Sequence, residues 1–291
     1  MHSHVLATRR ATIRPADGDH PRRGRGHRQS LRHRPAPLRG GVSWRVALCC
    51  ISLRLGDVQD RRAPAAVDQP QPPTATPRFR GLITDWGGVM TSPIADTVRA
   101  WLDYEGIDHD SYTAAIRPWL LAAYDPAKDG NPIHALERGE CTIGDFERLL
   151  APMLVRRDGG QVLAEGLLTR MFAASLPCEP MYAAVHAARA AGLRTCLLSN
   201  SWGSEAYPRD VLADMYHAVV ISAEVGMRKP EERIFRHAAE LLGLAPSECV
   251  FIDDIEPNVQ VAEALGMYGV LHIEPEVSVA QLAELFGLPL G

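Results

Sequence analysis

The chain has 291 residues, of which 46% are hydrophobic, and it carries a formal net charge of −4. No segment approaches the roughly 18 consecutive apolar residues that a membrane-spanning helix requires. The six cysteines form no C-x-x-C pair, and no histidine cluster accompanies them, which argues against a zinc site and against a secreted disulfide scaffold. Composition therefore predicts a globular cytoplasmic protein without a membrane partner.

Charge divides the sequence near residue 80. Residues 1–80 contain 16 Arg, no Lys and 5 Asp, a net of +11, whereas the remainder has 15 basic and 30 acidic residues, a net of −15. Residues 1–78 are rich in His, Arg, Pro and Gly without helical or strand periodicity, so we expect a disordered extension or a start codon assigned too far upstream. We expect no nucleic-acid partner, because these arginines are the only feature of the sequence that would support nucleic-acid binding.

The first ordered element is expected within residues 80–93. Leu82, Ile83 and Thr84 are typical of a buried strand, which stops at Asp85 and is followed by a turn at glycines 87 and 88. A carboxylate at such a strand end projects into the crevice where ligands of open α/β sheets bind. On this stretch alone, an aspartate that only caps the turn is an equal alternative.

Residues 94–180 are expected to form a helical insert, because apolar residues recur there at helical spacing and no strand-like alternation appears. From residue 181 onward helices alternate with apolar strands, which predicts a parallel sheet. We therefore predict an α/β fold, a Rossmann-like parallel sheet with helices on both faces, from residues 79–93 and 181–291. The expected helices include 161–174 and 204–216, and the expected later strands are 194–200, 217–222, 248–254 and 269–273.

Three of the predicted strands end in polar residues, namely Asp85, Ser199-Asn200 and Asp253-Asp254. In a parallel sheet these ends face one edge, and Lys229 precedes a helix near that edge. Clustered carboxylates resist ionisation unless a cation is present, and Mg²⁺ binds through one or two carboxylates together with phosphate oxygens. Singly, each signal is more often a turn, a cap or a surface lysine. Together they favour phosphoryl transfer, with Asp85 forming an aspartyl-phosphate.

Four motifs resemble those of the haloacid dehalogenase superfamily of hydrolases, over about residues 79–275. They are Asp85-Trp-Gly-Gly-Val, Leu197-Leu-Ser-Asn200, Arg228-Lys-Pro230 and Ile252-Asp-Asp-Ile-Glu-Pro-Asn258. The insert 94–180 lies where that family has its helical cap. The segment 136–146 is similar to caps related to the phosphatase domains of soluble epoxide hydrolase and of acyl-CoA dehydrogenase fusions. The resemblance implies a hydrolase of a small phosphorylated molecule with Mg²⁺ as cofactor.

The resemblance also implies a role for each motif residue. Asp85 would be the catalytic nucleophile, and Lys229 would be the second catalytic residue. The metal ligands would be Asp85, the backbone carbonyl of Gly87, and either Asp253 or Asp254. The groups around the phosphoryl oxygens would be Ser199, Asn200, Lys229 and Gly88, with Asn200 also supporting the loop.

One position departs from the family's pattern. Phosphatases of this family carry a second aspartate two residues after the nucleophile, as general acid and then base, and here that position is Gly87. Glycine cannot protonate a leaving alkoxide, which removes a contribution of typically 10²–10⁴-fold unless another group supplies it. We therefore expect slow hydrolysis of alkyl phosphates and a smaller loss of rate for aryl or acyl phosphates. The possible replacement proton donors in the insert are His109, Asp110 and His134.

Two other functions are compatible with the sequence. A haloacid dehalogenase also uses an aspartate nucleophile and needs neither a leaving-group acid nor a metal. The other alternative is a phosphate-binding or regulatory protein that retains the site but has weak turnover. The main support for this alternative is Gly87. The sequence predicts neither the substrate nor the oligomeric state.

Overall fold

The protein is described by a computed structural model, which covers residues 78–122, 130–203 and 207–290. The predicted N-terminal extension lies outside the described residues, apart from Arg78. Within these ranges no helix combines the length and the apolar character needed to cross a bilayer.

A five-stranded parallel sheet forms the centre of the described chain, in the order β3-β2-β1-β4-β5. Its strands are β1 Gly81–Thr84, β2 Arg194–Ser199, β3 Ala218–Ile221, β4 Cys249–Asp253 and β5 Tyr268–Leu271. In the central strand, Ile83 pairs with Cys196 on one side and with Phe251 on the other. Strands buried on both faces read as near-continuous apolar runs, which is how β1, β2 and β4 appear in the sequence. The predicted α/β fold is confirmed.

The helices of the described residues fall into two groups. The first group lies between β1 and β2, inside the predicted insert, and consists of α1 Ile94–Glu105, α2 His109–Ala122, α3 Pro132–Glu137, α4 Ile143–Leu150 and α5 Leu167–Met171. The second group packs on the sheet or follows its strands and consists of α6 Glu179–Ala190, α7 Arg209–Met215, α8 Ser222–Val225, α9 Glu232–Leu242, α10 Glu256–Ala264 and α11 Pro275–Phe286. The first group has its own apolar cluster, which includes Trp101, Leu102 and Phe146. The exact domain boundaries stay a prediction.

Both faces of the sheet are covered by helices. Successive strand residues point to opposite faces, and Leu82 accordingly belongs to a cluster with Met181 of α6 and Leu282 of α11. The next residue, Ile83, belongs to a second cluster with Phe235 of α9. Since helices occupy both faces, the carboxyl edge of the strands is the part of the sheet that remains for a ligand.

Two predicted helices differ from their expected bounds within the described residues. The helix predicted at 161–174 reduces to α5, because Gly166 has a left-handed φ of 68° that a right-handed helix does not accommodate. Of the helix predicted at 204–216, residues 204–206 lie outside the described residues, and the remainder contains α7, which begins after Pro208, because proline disfavours helical backbone in the residue before it. Strands β2 to β5 differ from the predicted ranges by one or two residues at their ends, and the sequence did not indicate the short helix α8.

Candidate active site

Polar side chains from three neighbouring strands meet at the carboxyl edge of the sheet. Asp85 directly follows β1, Ser199 ends β2, and Asp253 ends β4. Asp254 follows, and the carboxylates of Asp85, Asp253 and Asp254 each have an oxygen within 4.8 Å of the others. Parallel strands bring together at this edge residues that are more than 100 positions apart.

Lys229 reaches this edge from the loop between α8 and α9. Its Nζ donates to Asp85 Oδ1 at 2.7 Å and to Asp253 Oδ2 at 2.5 Å, and only 1% of the residue is exposed. Burial alone would lower the pKa of Lys229, but the charges of Asp253 and Asp85 outweigh it and raise that pKa above its ordinary value. The ammonium group is therefore a fixed positive charge beside Asp85.

The two adjacent acids at the end of β4 have different surroundings. Asp253 Oδ1 accepts from the backbone N–H of Ile255 at 2.8 Å and from Asn258 Nδ2 at 3.0 Å, and Oδ2 accepts from Lys229 and from Asn258. Among the described residues, no other residue hydrogen bonds to the Asp254 carboxylate. Asp253 is thus engaged by the protein itself, whereas Asp254 has oxygens available to a ligand.

The three carboxylates suit a divalent cation. Burial raises the pKa of Asp85 to about 6, opposed by the charge of Lys229 and increased by that of Asp253. Burial also raises the pKa of Asp254 well above its ordinary value, and the charges of Asp253 and Asp85 raise it further. One ammonium group therefore does not neutralise the acidic cluster, and oxygen donors of this kind are the ones that Mg²⁺ prefers.

The two polar residues after the apolar part of β2 make separate contacts. Ser199 Oγ lies 2.8 Å from the hydroxyl of Tyr207. Asn200 Nδ2 donates to the carbonyl of Lys229 at 3.0 Å, and its Oδ1 accepts from the Lys229 N–H at 2.8 Å. Both ends of the amide therefore hold the Lys229 loop. Asn200 also lines the cavity over the site, and its contact with a substrate stays a prediction.

The two glycines after Asp85 meet different neighbours. Gly88 has a φ of 81°, and a Cβ added to it would lie 2.5 Å from Asp254 Oδ2. Its N–H donates to Thr91 Oγ1 at 3.1 Å and is thus engaged within the turn. At Gly87 a Cβ would meet only the side chain of Ile94, at 3.2 Å. A side chain therefore has room at Gly87 but not at Gly88.

A cavity of about 460 Å³ opens over the site. Its polar end includes Asp85, Ser199 and Lys229. Much of the remaining wall is apolar and comes from residues of the insert, with side chains of Ile94, Val98, Ile116, Ile133, Met171 and Phe172. A polar end joined to an apolar body is the usual form of a small-molecule site.

The proton donors considered from the sequence do not face this cavity. His109 pairs with Asp103 at 3.0 Å on the protein surface, and Asp110 is exposed. Neither they nor His134 belong to the cavity lining. The acid that the insert does place in the lining is Glu137, the last residue of α3.

Glu137 belongs to a buried contact that the sequence did not reveal. Its Oε2 accepts from Arg228 Nε at 2.5 Å, and its Oε1 accepts from Trp202 Nε1 at 3.2 Å. Burial raises the pKa of Glu137, with the charge of Arg228 opposing the shift. Next to it, Arg138 Nε donates to Glu231 at 2.7 Å. Two ion pairs therefore join the end of α3 to the loop that carries the active-site lysine, across 91 and 93 residues of sequence.

The comparisons with known proteins agree with this geometry. A family model described as haloacid dehalogenase-like hydrolase matches residues 65–266. Bifunctional epoxide hydrolase 2 of Rattus norvegicus is 27% identical over 185 residues, which cover 59% of this chain and 33% of that protein. Acyl-CoA dehydrogenase family member 10 of Mus musculus is 27% identical over 220 residues, which cover 73% of this chain and 20% of that protein. The chain thus spans a third or less of the length of these two relatives.

A solved structure also matches the fold. A haloacid dehalogenase family enzyme from Bacteroides thetaiotaomicron superposes with a TM-score of 0.50 at 21% identity, covering 67% of this chain and 94% of that one. At this identity the likeness concerns the fold alone. The family model covers well over half of the sequence and includes all four motifs. The chain belongs to the haloacid dehalogenase-like hydrolase family.

Proposed function

We propose that this protein is a Mg²⁺-dependent phosphatase in which Asp85 is the nucleophile. The observation that carries the proposal is the Asp254 carboxylate, which lies within 4.8 Å of Asp85 and Asp253 without a hydrogen bond from another described residue. Asp254 is half-buried, and a third acid beside two buried ones is costly unless a cation compensates its charge. The presence of Asp254 distinguishes a metal-assisted site from a site that needs only an aspartate and a lysine.

In this proposal the two acids of β4 have separate tasks. Asp254, Asp85 and the carbonyl of Gly87 would hold Mg²⁺, which would neutralise the phosphoryl oxygens and help to orient them. Asp253 would instead fix Lys229, to which it accepts a 2.5 Å hydrogen bond. The hydrogen bonds of Asp253 support this choice between the two adjacent acids, which the sequence left open.

The reaction would proceed by displacement at phosphorus. An Asp85 oxygen would form a bond to phosphorus while the bond to the ester oxygen breaks, giving an aspartyl-phosphate and an alkoxide or phenoxide. Lys229 and the hydroxyl of Ser199 would donate hydrogen bonds to the phosphoryl oxygens. Water would then release phosphate and regenerate the carboxylate. Because Gly87 supplies no proton, esters whose leaving group is stable as an anion should react fastest.

The cavity favours an ester with an apolar alcohol part. Residues 94–180, whose helices we propose to act as the cap, contribute much of its apolar wall. Burial of apolar substrate surface against such a wall stabilises the complex by about 25 cal/mol per Å². We therefore propose a small phosphate monoester with an apolar body as substrate.

Release of phosphate from a panel of aryl, acyl and alkyl phosphates tests the proposal. We expect turnover with Mg²⁺, loss of turnover in EDTA, and loss in Asp85→Asn, which keeps the size of the side chain but removes its nucleophilic charge. Equal rates with and without Mg²⁺, or full activity of Asp85→Asn, would contradict it.

A dehalogenase is the second candidate, and the missing acid at Gly87 favours it. Halide leaves as a stable anion and needs no proton, so a glycine at this position would cost nothing. Release of halide from 2-haloacids in the presence of EDTA would support this function, whereas phosphate release that requires Mg²⁺ would exclude it as the main activity.

A further inference from the structure

A chain of buried hydroxyl groups lies behind Ser199, outside the four motifs. The hydroxyl of Tyr207 lies 2.8 Å from Ser199 Oγ, and the two residues are 9% and 2% exposed. Tyr207 lines the cavity. Its ring packs against Trp86, the residue after the nucleophile, with 5.8 Å between ring centroids. This packing fixes the phenol at the polar end of the cavity.

The direction of the hydrogen bond between Tyr207 and Ser199 follows from the task of Ser199. A buried hydroxyl group donates its own proton to one partner and accepts with its oxygen from another. If the Ser199 hydroxyl donates its proton to a phosphoryl oxygen in the cavity, its oxygen is left to accept from the phenol of Tyr207, which lies 2.8 Å away.

Two properties make this arrangement suited to anion binding. Hydrogen bonds that run in one direction polarise one another, so the last hydroxyl becomes a stronger donor. Burial raises the pKa of Tyr207 to about 12, so the phenol keeps its proton at neutral pH. Without the phenol, Ser199 Oγ would lose the contact that fixes its orientation.

We propose that Tyr207 is a positioning residue, whose hydroxyl donates to Ser199 Oγ and so directs the Ser199 hydroxyl toward a phosphoryl oxygen. The inference rests on the proposed function, in which Ser199 contacts the phosphoryl group. Tyr207 acts through Ser199 and does not itself touch the substrate.

Binding of inorganic phosphate in the presence of Mg²⁺, measured by calorimetry, tests this role without requiring turnover. The variants are Tyr207→Phe, Ser199→Ala and the double variant. Tyr182→Phe is the matched control, because its ring also packs on Trp86, at 6.1 Å between centroids, but its hydroxyl is not part of the Ser199 chain. Thermal midpoints show whether each variant is folded.

We expect Tyr207→Phe to weaken phosphate binding about fivefold to tenfold, the scale of one neutral hydrogen bond, and Tyr182→Phe to leave it unchanged. The double variant should bind no more weakly than Ser199→Ala, because the phenol has no effect once the serine hydroxyl is absent. Unchanged binding in Tyr207→Phe would overturn the inference. So would losses that multiply in the double variant, since the phenol would then contact phosphate itself.

The same experiment separates this inference from the proposed function. If the wild-type protein binds phosphate but hydrolyses no ester, the phosphatase fails, and the affinities still decide about Tyr207. If the wild-type protein binds no phosphate with Mg²⁺, the role of Tyr207 fails together with that of Ser199.

Discussion

Gly87→Asp places a carboxyl group at the position where the resemblance to the family's phosphatases implies a proton donor. The backbone of Gly87 is outside the left-handed region, and an added Cβ would approach only Ile94 Cδ1, at 3.2 Å. A small shift of that side chain relieves the contact, at a cost of about 1 kcal/mol. The new carboxyl would lie close to acids already clustered at this edge, and their charges favour its protonated form.

The expected gain depends on the leaving group. Proton donation contributes about 10² to 10⁴-fold, and for a group that has not been optimised we expect the lower end, about 10²-fold or 2.7 kcal/mol of barrier. Alkyl phosphates should show this gain in kcat. Aryl phosphates should change little, because a phenoxide leaves without a proton.

The assay is the ratio of kcat for an alkyl phosphate to kcat for p-nitrophenyl phosphate, measured with Mg²⁺ in wild type, Gly87→Asp and Gly87→Asn. Asparagine has the same size and carries no acidic proton, so Gly87→Asn should leave the ratio low. If the wild-type protein already hydrolyses alkyl and aryl esters at similar rates, the reasoning about Gly87 is refuted. An equal gain in Gly87→Asn would show that side-chain volume, not the proton, is responsible.

Three further predictions concern the charged groups of the site. Asp254→Asn should weaken Mg²⁺ binding at least tenfold while preserving most of the folding stability. Asp253→Asn should instead lower the free energy of unfolding by about 3 kcal/mol, because Lys229 loses one of its two buried carboxylate partners. Titration with Mg²⁺ and urea denaturation test both, and equal effects on both quantities would contradict the separate tasks. Glu137→Gln removes the negative charge that pairs with the buried guanidinium of Arg228, so we expect a loss of about 3 kcal/mol in urea denaturation. A change below about 0.5 kcal/mol would mean that the pair is solvated in solution. In EDTA, the pKa of Asp85 near 6, against an ordinary value of 3.8, means that the folded protein holds a proton that the unfolded chain has released. The free energy of unfolding should therefore fall as the pH rises from about 4 to about 6, and a thermal midpoint that is flat or rises over this range would contradict it.

The sheet and the residues at its edge could be predicted because the determining information is local. Apolar runs that end in a polar residue occur at β1, β2 and β4, and parallel pairing brings their ends together. The helix predicted at 161–174 was too long because Gly166 is compatible with a helix in the sequence, and only tertiary packing decides its left-handed backbone.

Other features depend on contacts that no local pattern encodes. Asp253 and Asp254 are identical neighbours, and their contacts differ because successive residues point in different directions. Arg228 and Glu137 are 91 residues apart, and neither lies in a pattern that indicates a buried ion pair. Tyr207 lies outside the four motifs, and its role depends on where its ring packs.

The balance of charge around Lys229 has a consequence for the order in which ligands enter. Three carboxylates against one ammonium leave an excess of two negative charges when all are ionised, and a phosphate ester adds two more. Two like charges 5 Å apart repel by about 3 kcal/mol at an effective dielectric constant of 20. Entry should therefore be sequential, with the cation first and the ester second, and free phosphate should depart before the cation. The protein would then bind phosphate esters only in cells that keep its carboxylate cluster occupied by the cation.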